Sequence, residues 1–335
     1  MLNERAAGGR AFMRLRAVIV SGLVILLAVL AAGCKASGDN STPTVPVVIN
    51  PVDYDPPAGT PPAPKVNSKR AFELGGQFVA QGPRALGTAG HQKAEDFIHA
   101  HLAGLVVEDD AFTAQTAAGA FPVRNIIAKL PGKKDGIIVI AGHYDTPLPL
   151  KDKNFVGAND GGSNVGVMLA YAEQFKGQTL DGYSIWLLFT DAEEATVEWT
   201  DADSVYGSKH LAARWQQDGT AKKIKAFLLL DMIGDKDLGT ERDSNSTQWL
   251  LDVIGRAAAR LGYSKYFYVR ENMISDDHLP FAKVGIPVAD IIDLDYGFDN
   301  LYHHTTEDTM DKLSPQSLQI VGDTVLETVR ALNTH

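Results

Sequence analysis

Carboxylates and imidazoles recur along this chain in short groups that each follow an apolar run. The groups are Gly142-His143-Tyr144-Asp145, Asp191-Ala192-Glu193-Glu194, Asp231, and Tyr302-His303-His304-Thr305-Thr306-Glu307-Asp308. A further group, Gly157-Ala158-Asn159-Asp160-Gly161-Gly162-Ser163, opens a helical stretch after the first of those runs. Taken singly, each reads as turn or cap chemistry, because Asp and Asn bond their own backbone where an element ends. Converging on one rim of a fold, they form an uncompensated cluster of negative charge. A divalent cation with imidazole and carboxylate ligands is the usual remedy. The chain holds one cysteine, Cys34, which excludes a thiolate cage and any intrachain disulfide. A nitrogen and oxygen donor set suits Zn2+, with Mn2+ or Co2+ as alternatives.

The elements that must carry these groups are legible as apolar runs. Asn125–Leu130, Gly136–Ala141, Tyr183–Thr190, Ile224–Leu230 and Pro287–Leu294 read as buried strands, and Asn164–Phe175, Gln248–Leu261 and Ser314–Leu332 show helical spacing. Near-continuous apolar strands alternating with helices imply an α/β fold, with a mostly parallel central sheet covered by helices on both faces. In such sheets ligands bind beyond the carboxyl ends of the strands, which is where the polar groups fall. Trp186 and Trp215 read as core. His91, His99 and His101 read as solvated residues of a surface helix, Arg242–Asn245 as a solvated loop, and His210 and His278 as supporting or packing residues rather than ligands.

The rest of the chain bounds the setting. Of 335 residues, 45% are hydrophobic and 21% charged, and the formal net charge is −10, so no basic surplus exists to neutralise a nucleic acid. Residues 1–33 combine Arg14 and Arg16 with the apolar run Ala17–Gly33, the pattern of an export signal. The sequence Ala31-Ala32-Gly33-Cys34 resembles the lipobox of bacterial lipoproteins, which implies cleavage before Cys34 and acylation of it. Residues 34–65 are rich in Ser, Thr, Asp and Pro and read as a tether favouring extended polyproline conformations. Residues 66–335 then form a single catalytic domain, exported to the cell envelope and held on a membrane only through lipid.

From Gly82 onward the motifs resemble those of the zinc-dependent aminopeptidase superfamily and, within it, the animal-type glutaminyl cyclases. Superfamily members have a His-x-Asp, an Asp at a Gly-rich helix start, a Glu-Glu pair, an Asp after a strand, and a late His before Thr-x-x-Asp. His143/Asp145, Asp160, Glu193/Glu194, Asp231 and His304 match them. The cyclase branch is indicated by Trp199 followed by Asp203-Ser204-Val205-Tyr206-Gly207-Ser208-Lys209-His210-Leu211-Ala212. Asp276-Asp277-His278-Leu279-Pro280-Phe281 and Phe155-Val156-Gly157-Ala158 point the same way.

The resemblance implies a glutaminyl-peptide cyclotransferase acting on peptide or protein N-termini. It implies one Zn2+ held by Asp160, Glu194 and His304, with Glu193 as general base and acid, Asp231 and Asp276 orienting the proton transfers, and Trp199 flanking the substrate glutamine. The alternative within the superfamily is a di-zinc aminopeptidase, in which His143 and Asp231 hold a second ion and Asp160 bridges the pair. Two positions depart from the cyclases. Gly142 stands where they carry a cysteine of a disulfide, and His303 stands where they carry a Trp, leaving Tyr302 or Phe298 to supply an aromatic wall.

Overall fold

A computed structural model describes residues 49–334. Eight strands, β1 Val106–Thr116, β2 Gly119–Leu130, β3 Gly132–His143, β4 Leu180–Thr190, β5 Ile224–Asp231, β6 Glu241–Asp243, β7 Arg270–Asn272 and β8 Val288–Ile292, alternate with seven helices. The helices are α1 Ser68–Val79, α2 Ala89–His101, α3 Gly162–Phe175, α4 Tyr206–Asp218, α5 Gln248–Arg260, α6 His278–Lys283 and α7 Pro315–Leu332. Six strands form one sheet in the order β1-β2-β4-β3-β5-β8, and β6 and β7 pair separately.

The expected α/β sandwich is present, but its sheet is mixed. β4, β3, β5 and β8 run parallel, while β2 joins β4, and β1 joins β2, in antiparallel register. The sequence reading missed β1 because it pairs along one side only and carries Glu108, Asp109 and Asp110 in place of an apolar run. The strict two-residue alternation of side chains divides the core between the two faces. Ile138, Ile140, Leu187, Phe189, Leu228 and Leu230 face α1, α2, α3, α5 and α7. Val139, Leu188, Phe227 and Leu229 face α4 and α6, where Trp215 packs on Phe281 with ring centroids 5.3 Å apart. Because the C-terminal halves of β3, β4 and β5 are covered by helices on both faces, these strands read as near-continuous apolar runs.

α1 and α3 cross closely at Gly75 and Gly166. A Cβ on Gly166 would lie 2.5 Å from the Ala71 carbonyl oxygen, so this contact admits only glycine. The crossing fixes the height of α3, and with it the loop carrying Asp160.

The leader and Cys34 fall within residues 1–48, outside the described residues. From residue 49 the Pro-rich stretch lies against the domain. Tyr54 stacks on Trp249 at 5.4 Å, Asp55 accepts hydrogen bonds from Arg256 and Arg260, and the Ala63 N–H donates to Glu327 at 3.0 Å. Residues 54–65 thus carry specific anchors in addition to their extended composition. No helix among the described residues is long and apolar enough to cross a membrane.

Candidate active site

The parallel strands end on a common rim, and the polar groups follow them there. His143 closes β3, Asp191 to Glu194 follow β4, and Asp231 closes β5. Asp160 lies just before α3, Asp276 just before α6, and His304 in the loop between β8 and α7. Several turns at this rim hold non-glycine residues in the left-handed region: Ala192 at φ 53°, Met232 at φ 49° and His304 at φ 53°. Such backbone is disfavoured for side-chain-bearing residues and is retained where a site demands it.

Every residue named for the site from the sequence is brought together. His143 Nε2 lies 3.0 Å from Asp160 and 3.2 Å from Asp231, while His304 Nε2 lies 3.3 Å from Asp160 and 3.1 Å from Glu194. Asp160 is therefore shared between the two imidazoles, as a bridging carboxylate must be. Asp160, Glu193, Glu194, Asp231 and Asp276 line one cavity of about 360 Å³ with Trp199, Met232, Ile274, Leu294 and His303. The sequence offered Tyr302 or Phe298 as a replacement aromatic wall, and neither lines it. Tyr302 packs edge-on against Tyr296, and Phe298 is 91% exposed.

The electrostatics are those of crowded carboxylates out of water. Burial, with Glu194, Asp276 and Asp277 adding to it and His143 opposing, pushes the Glu193 carboxyl well above its ordinary value. Burial and its acidic neighbours Asp231 and Asp277 raise Asp276 likewise, and burial lifts Glu194 to about 7. Burial works against ionising Asp160, yet His143 and His304 hold it well below the usual range. Burial also lowers His303. Glu194 Oε2, Asp276 Oδ2 and His143 Nδ1 are buried without a hydrogen bond. Unfilled acceptors beside imidazoles, with ligand atoms of His143, Asp160 and Asp231 within 4.8 Å of one another, fit a divalent cation. Asp160, His303 and His304 also meet this spacing.

Three supporting residues were given no role from the sequence. Asp145 accepts the backbone N–H of Glu193 at 3.1 Å and of Glu194 at 3.2 Å, which sets the direction of both side chains. Asp308 accepts the N–H of Asn159 at 2.8 Å and of Asp160 at 3.2 Å. Arg84, fully buried, donates to the carbonyls of Tyr144, Val156, Gly157 and Asp160 and so ties the His143 strand end to the Asp160 loop. Asp145 and Asp308 sit inside recognisable motifs, whereas the hydrogen bonds of the Arg84 side chain all go to carbonyls and leave no local pattern.

Two other expectations are corrected. His91 is buried, not solvated; its Nε2 lies 2.7 Å from Asp191 and its Nδ1 3.7 Å from Glu95. The burial of His91, Ala94, Glu95 and Ile98 along one face of α2 was the available signal. Arg242–Asn245 is no solvated loop throughout, because Asp243 is buried in β6 and lies 3.1 Å from His278 Nε2. His278 is wholly buried with Asp243 and Asp290, where its Nδ1 and both Asp290 carboxylate oxygens have no hydrogen bond, and His210 stacks on Phe112 at 3.8 Å. At the expected cysteine position, a Cβ on Gly142 would lie 2.2 Å from Asn164 Nδ2, which itself donates to the His143 carbonyl at 2.8 Å.

Comparison with known proteins places this geometry. The model of Peptidase family M28 matches residues 125–329. A glutaminyl-peptide cyclotransferase of Drosophila melanogaster is 30% identical over 248 residues, covering 66% of this chain and 69% of that protein. The crystal structure of an Acidobacteriales bacterium glutaminyl cyclase superimposes with a TM-score of 0.80 at 52% identity, covering 84% of this chain and 99% of that one. A Zn-dependent exopeptidase from Parabacteroides distasonis superimposes with a TM-score of 0.71 at 27% identity, covering 80% and 99% of the two chains.

Proposed function

Since the chain belongs to peptidase family M28, we propose that it is a glutaminyl-peptide cyclotransferase, converting the N-terminal glutamine of peptides or proteins to pyroglutamate with release of ammonia. One observation carries the reading: the raised carboxyls of Glu193 and Asp276 share a single cavity with Asp160, Glu194, His304 and Trp199. Asp160 and Glu194, whose carboxylates lie 3.3 and 3.1 Å from His304 Nε2, would with His304 hold Zn2+, which would supply Lewis-acid polarisation of the γ-carbonyl oxygen.

The remaining work belongs to side chains of this protein. The neutral α-amine of the substrate attacks the γ-carbonyl carbon as Glu193 takes one of its protons. The new C–N bond closes the five-membered ring, the C–N bond to the amide nitrogen breaks, and the proton passes from Glu193 to that nitrogen as ammonia leaves. Asp276 and Asp231 orient these transfers, and the elevated carboxyls suit groups that must both accept and return a proton near neutrality. Trp199 gives the aliphatic part of the glutamine an apolar wall. Nucleophile and electrophile belong to one residue, so the reaction has a high effective molarity and needs no water.

Incubating the purified protein with a Gln-peptide and a Leu-peptide tests the reading. Loss of ammonia from the first supports it. Loss of the N-terminal residue from the second returns the di-zinc aminopeptidase, for which His143, Asp160 and Asp231 already group. Metal analysis distinguishes one ion from two. For the leader we infer export and acylation at Cys34, leaving residues 66–335 as the catalytic domain, lipid-anchored at the cell envelope. Fatty-acid labelling that survives Cys34→Ser overturns that part.

A further inference from the structure

The loop between β8 and His304 is built to hold one imidazole in one tautomer. Gly297, Asp299 and Asn300 all take positive φ, at 76°, 55° and 57°, and this turn places Asn300 beneath His303. The Tyr296 N–H donates to Asn300 Oδ1 at 3.2 Å, so the amide's oxygen end is committed. Its Nδ2 then faces His303 Nδ1 at 3.3 Å and can only donate. His303 Nδ1 is therefore an acceptor, and the ring proton of the neutral imidazole sits on Nε2. Among the described residues Nε2 has no hydrogen-bond partner, and His303 lines the cavity.

Resting on the cyclotransferase reading, we propose that His303 is a specificity-determining residue whose Nε2–H donates to the main-chain carbonyl oxygen of the substrate's glutaminyl residue. That carbonyl is the polar group of the residue left without a partner once the γ-carbonyl lies at the metal position and the α-amine at Glu193. The cavity's acidic wall repels a carbonyl oxygen, most of the remainder is apolar, and apart from the proposed ligand His304 its neutral donors are Ser275, Trp199 and His303. A neutral donor fixed by its own backbone-anchored amide meets that need. The assignment also separates His303 from the metal. A ring with Nδ1 engaged by Asn300 and a proton on Nε2 offers no lone pair to a cation, although its position beside Asp160 and His304 meets ligand spacing.

The experiment compares zinc-loaded wild type, His303→Phe, His303→Gln and Asn300→Ala on a Gln-peptide and on its analogue reduced from carbonyl to methylene at the glutaminyl main chain. A single neutral hydrogen bond corresponds to about a three- to tenfold rise in KM for His303→Phe on the peptide, with kcat much less affected. His303→Gln restores part of the loss, Asn300→Ala shows a smaller one, and all four proteins treat the reduced analogue alike. Histidine 15N resonances of the wild type report protonated Nε2. Zinc affinity by chelator competition stays the same across the set. An active wild type whose KM is unmoved in His303→Phe overturns the proposal. A fall in zinc affinity in that variant, or a proton on Nδ1, replaces the donor with a metal ligand. Absence of cyclisation by the wild type overturns the functional reading instead, while the 15N result still reports the tautomer.

Discussion

Two clusters of imidazole and carboxylate share the turn after β4, and they differ in what their polar atoms do. Behind the turn, Asp191 accepts from His91 at 2.7 Å, from the Arg124 N–H at 2.7 Å and from the Ala192 N–H at 2.8 Å, and no atom of His91, Glu95 or Asp191 is left buried and unbonded. In front of it, Glu194, Asp276 and His143 each keep a buried atom without a hydrogen bond, and Asp160, Glu193, Glu194, Asp231 and Asp276 open on one cavity. Residue types and spacing are alike, and both groups meet metal-ligand distances. Between these two the difference is satisfaction: the rear cluster's valence is filled internally, while the front cluster keeps valence to spare and opens on a cavity.

The sharpest way to break this contrast is to remove the front cluster's metal ligands. His304→Ala abolishes zinc retention and brings cyclisation to background, and exhaustive chelation does the same until zinc is restored; metal analysis of the dialysed protein checks both. Equal zinc loss from His91→Ala would erase the distinction between the clusters. Next, Glu193→Gln keeps shape and hydrogen bonding but cannot carry a proton. Its kcat falls by roughly 10²–10⁴ with zinc retained, and near-full turnover would remove Glu193 from the chemistry. Asp276→Asn lowers kcat by about 10² with Tm barely changed. If Asp276 were merely a turn cap, the variant would instead lose about 1 kcal/mol of stability and keep its turnover.

The back cluster answers to stability alone. His91→Ala strips Asp191 of its imidazole and costs about 3 kcal/mol in urea unfolding, while kcat of the folded fraction is unchanged. The smallest effect is a pH dependence. Burial alone would lower the His91 pKa, but Asp191 and then Glu95 overcome it and raise it to about 9. A raised pKa stabilises the fold fully below the unfolded value near 6.5, and that contribution is lost as pH rises through about 9. The wild type therefore loses Tm between pH 6.5 and 9 relative to His91→Gln, and parallel curves would show that His91 is neutral in the fold.

Much of this was legible in the sequence because the site sits where strands end. The runs before His143, Glu193 and Asp231 are mostly apolar, and a polar residue directly after such a run has few places to point. What escaped depends on contacts between distant segments. The Arg84 side chain spends its hydrogen bonds on carbonyl oxygens contributed by residues 144–160, and carbonyls have no sequence signature. Asp243 and His91 are charged or polar residues in polar stretches, and composition reads them outward. Each is buried because one acceptor or donor from another element meets it. β1 was missed for a related reason, since a strand half in water advertises its solvent face.

Gly142 carries a consequence for where this protein can be made. Asn164 occupies the space that a side chain at residue 142 would need, so the strand end bearing His143 is positioned by a hydrogen bond and by packing, with no covalent link. The sole cysteine, Cys34, lies outside the described domain. Folding of residues 66–335 is therefore indifferent to redox potential. The described domain needs no oxidising environment to reach its native state, and thiol reductants leave its melting temperature where it was.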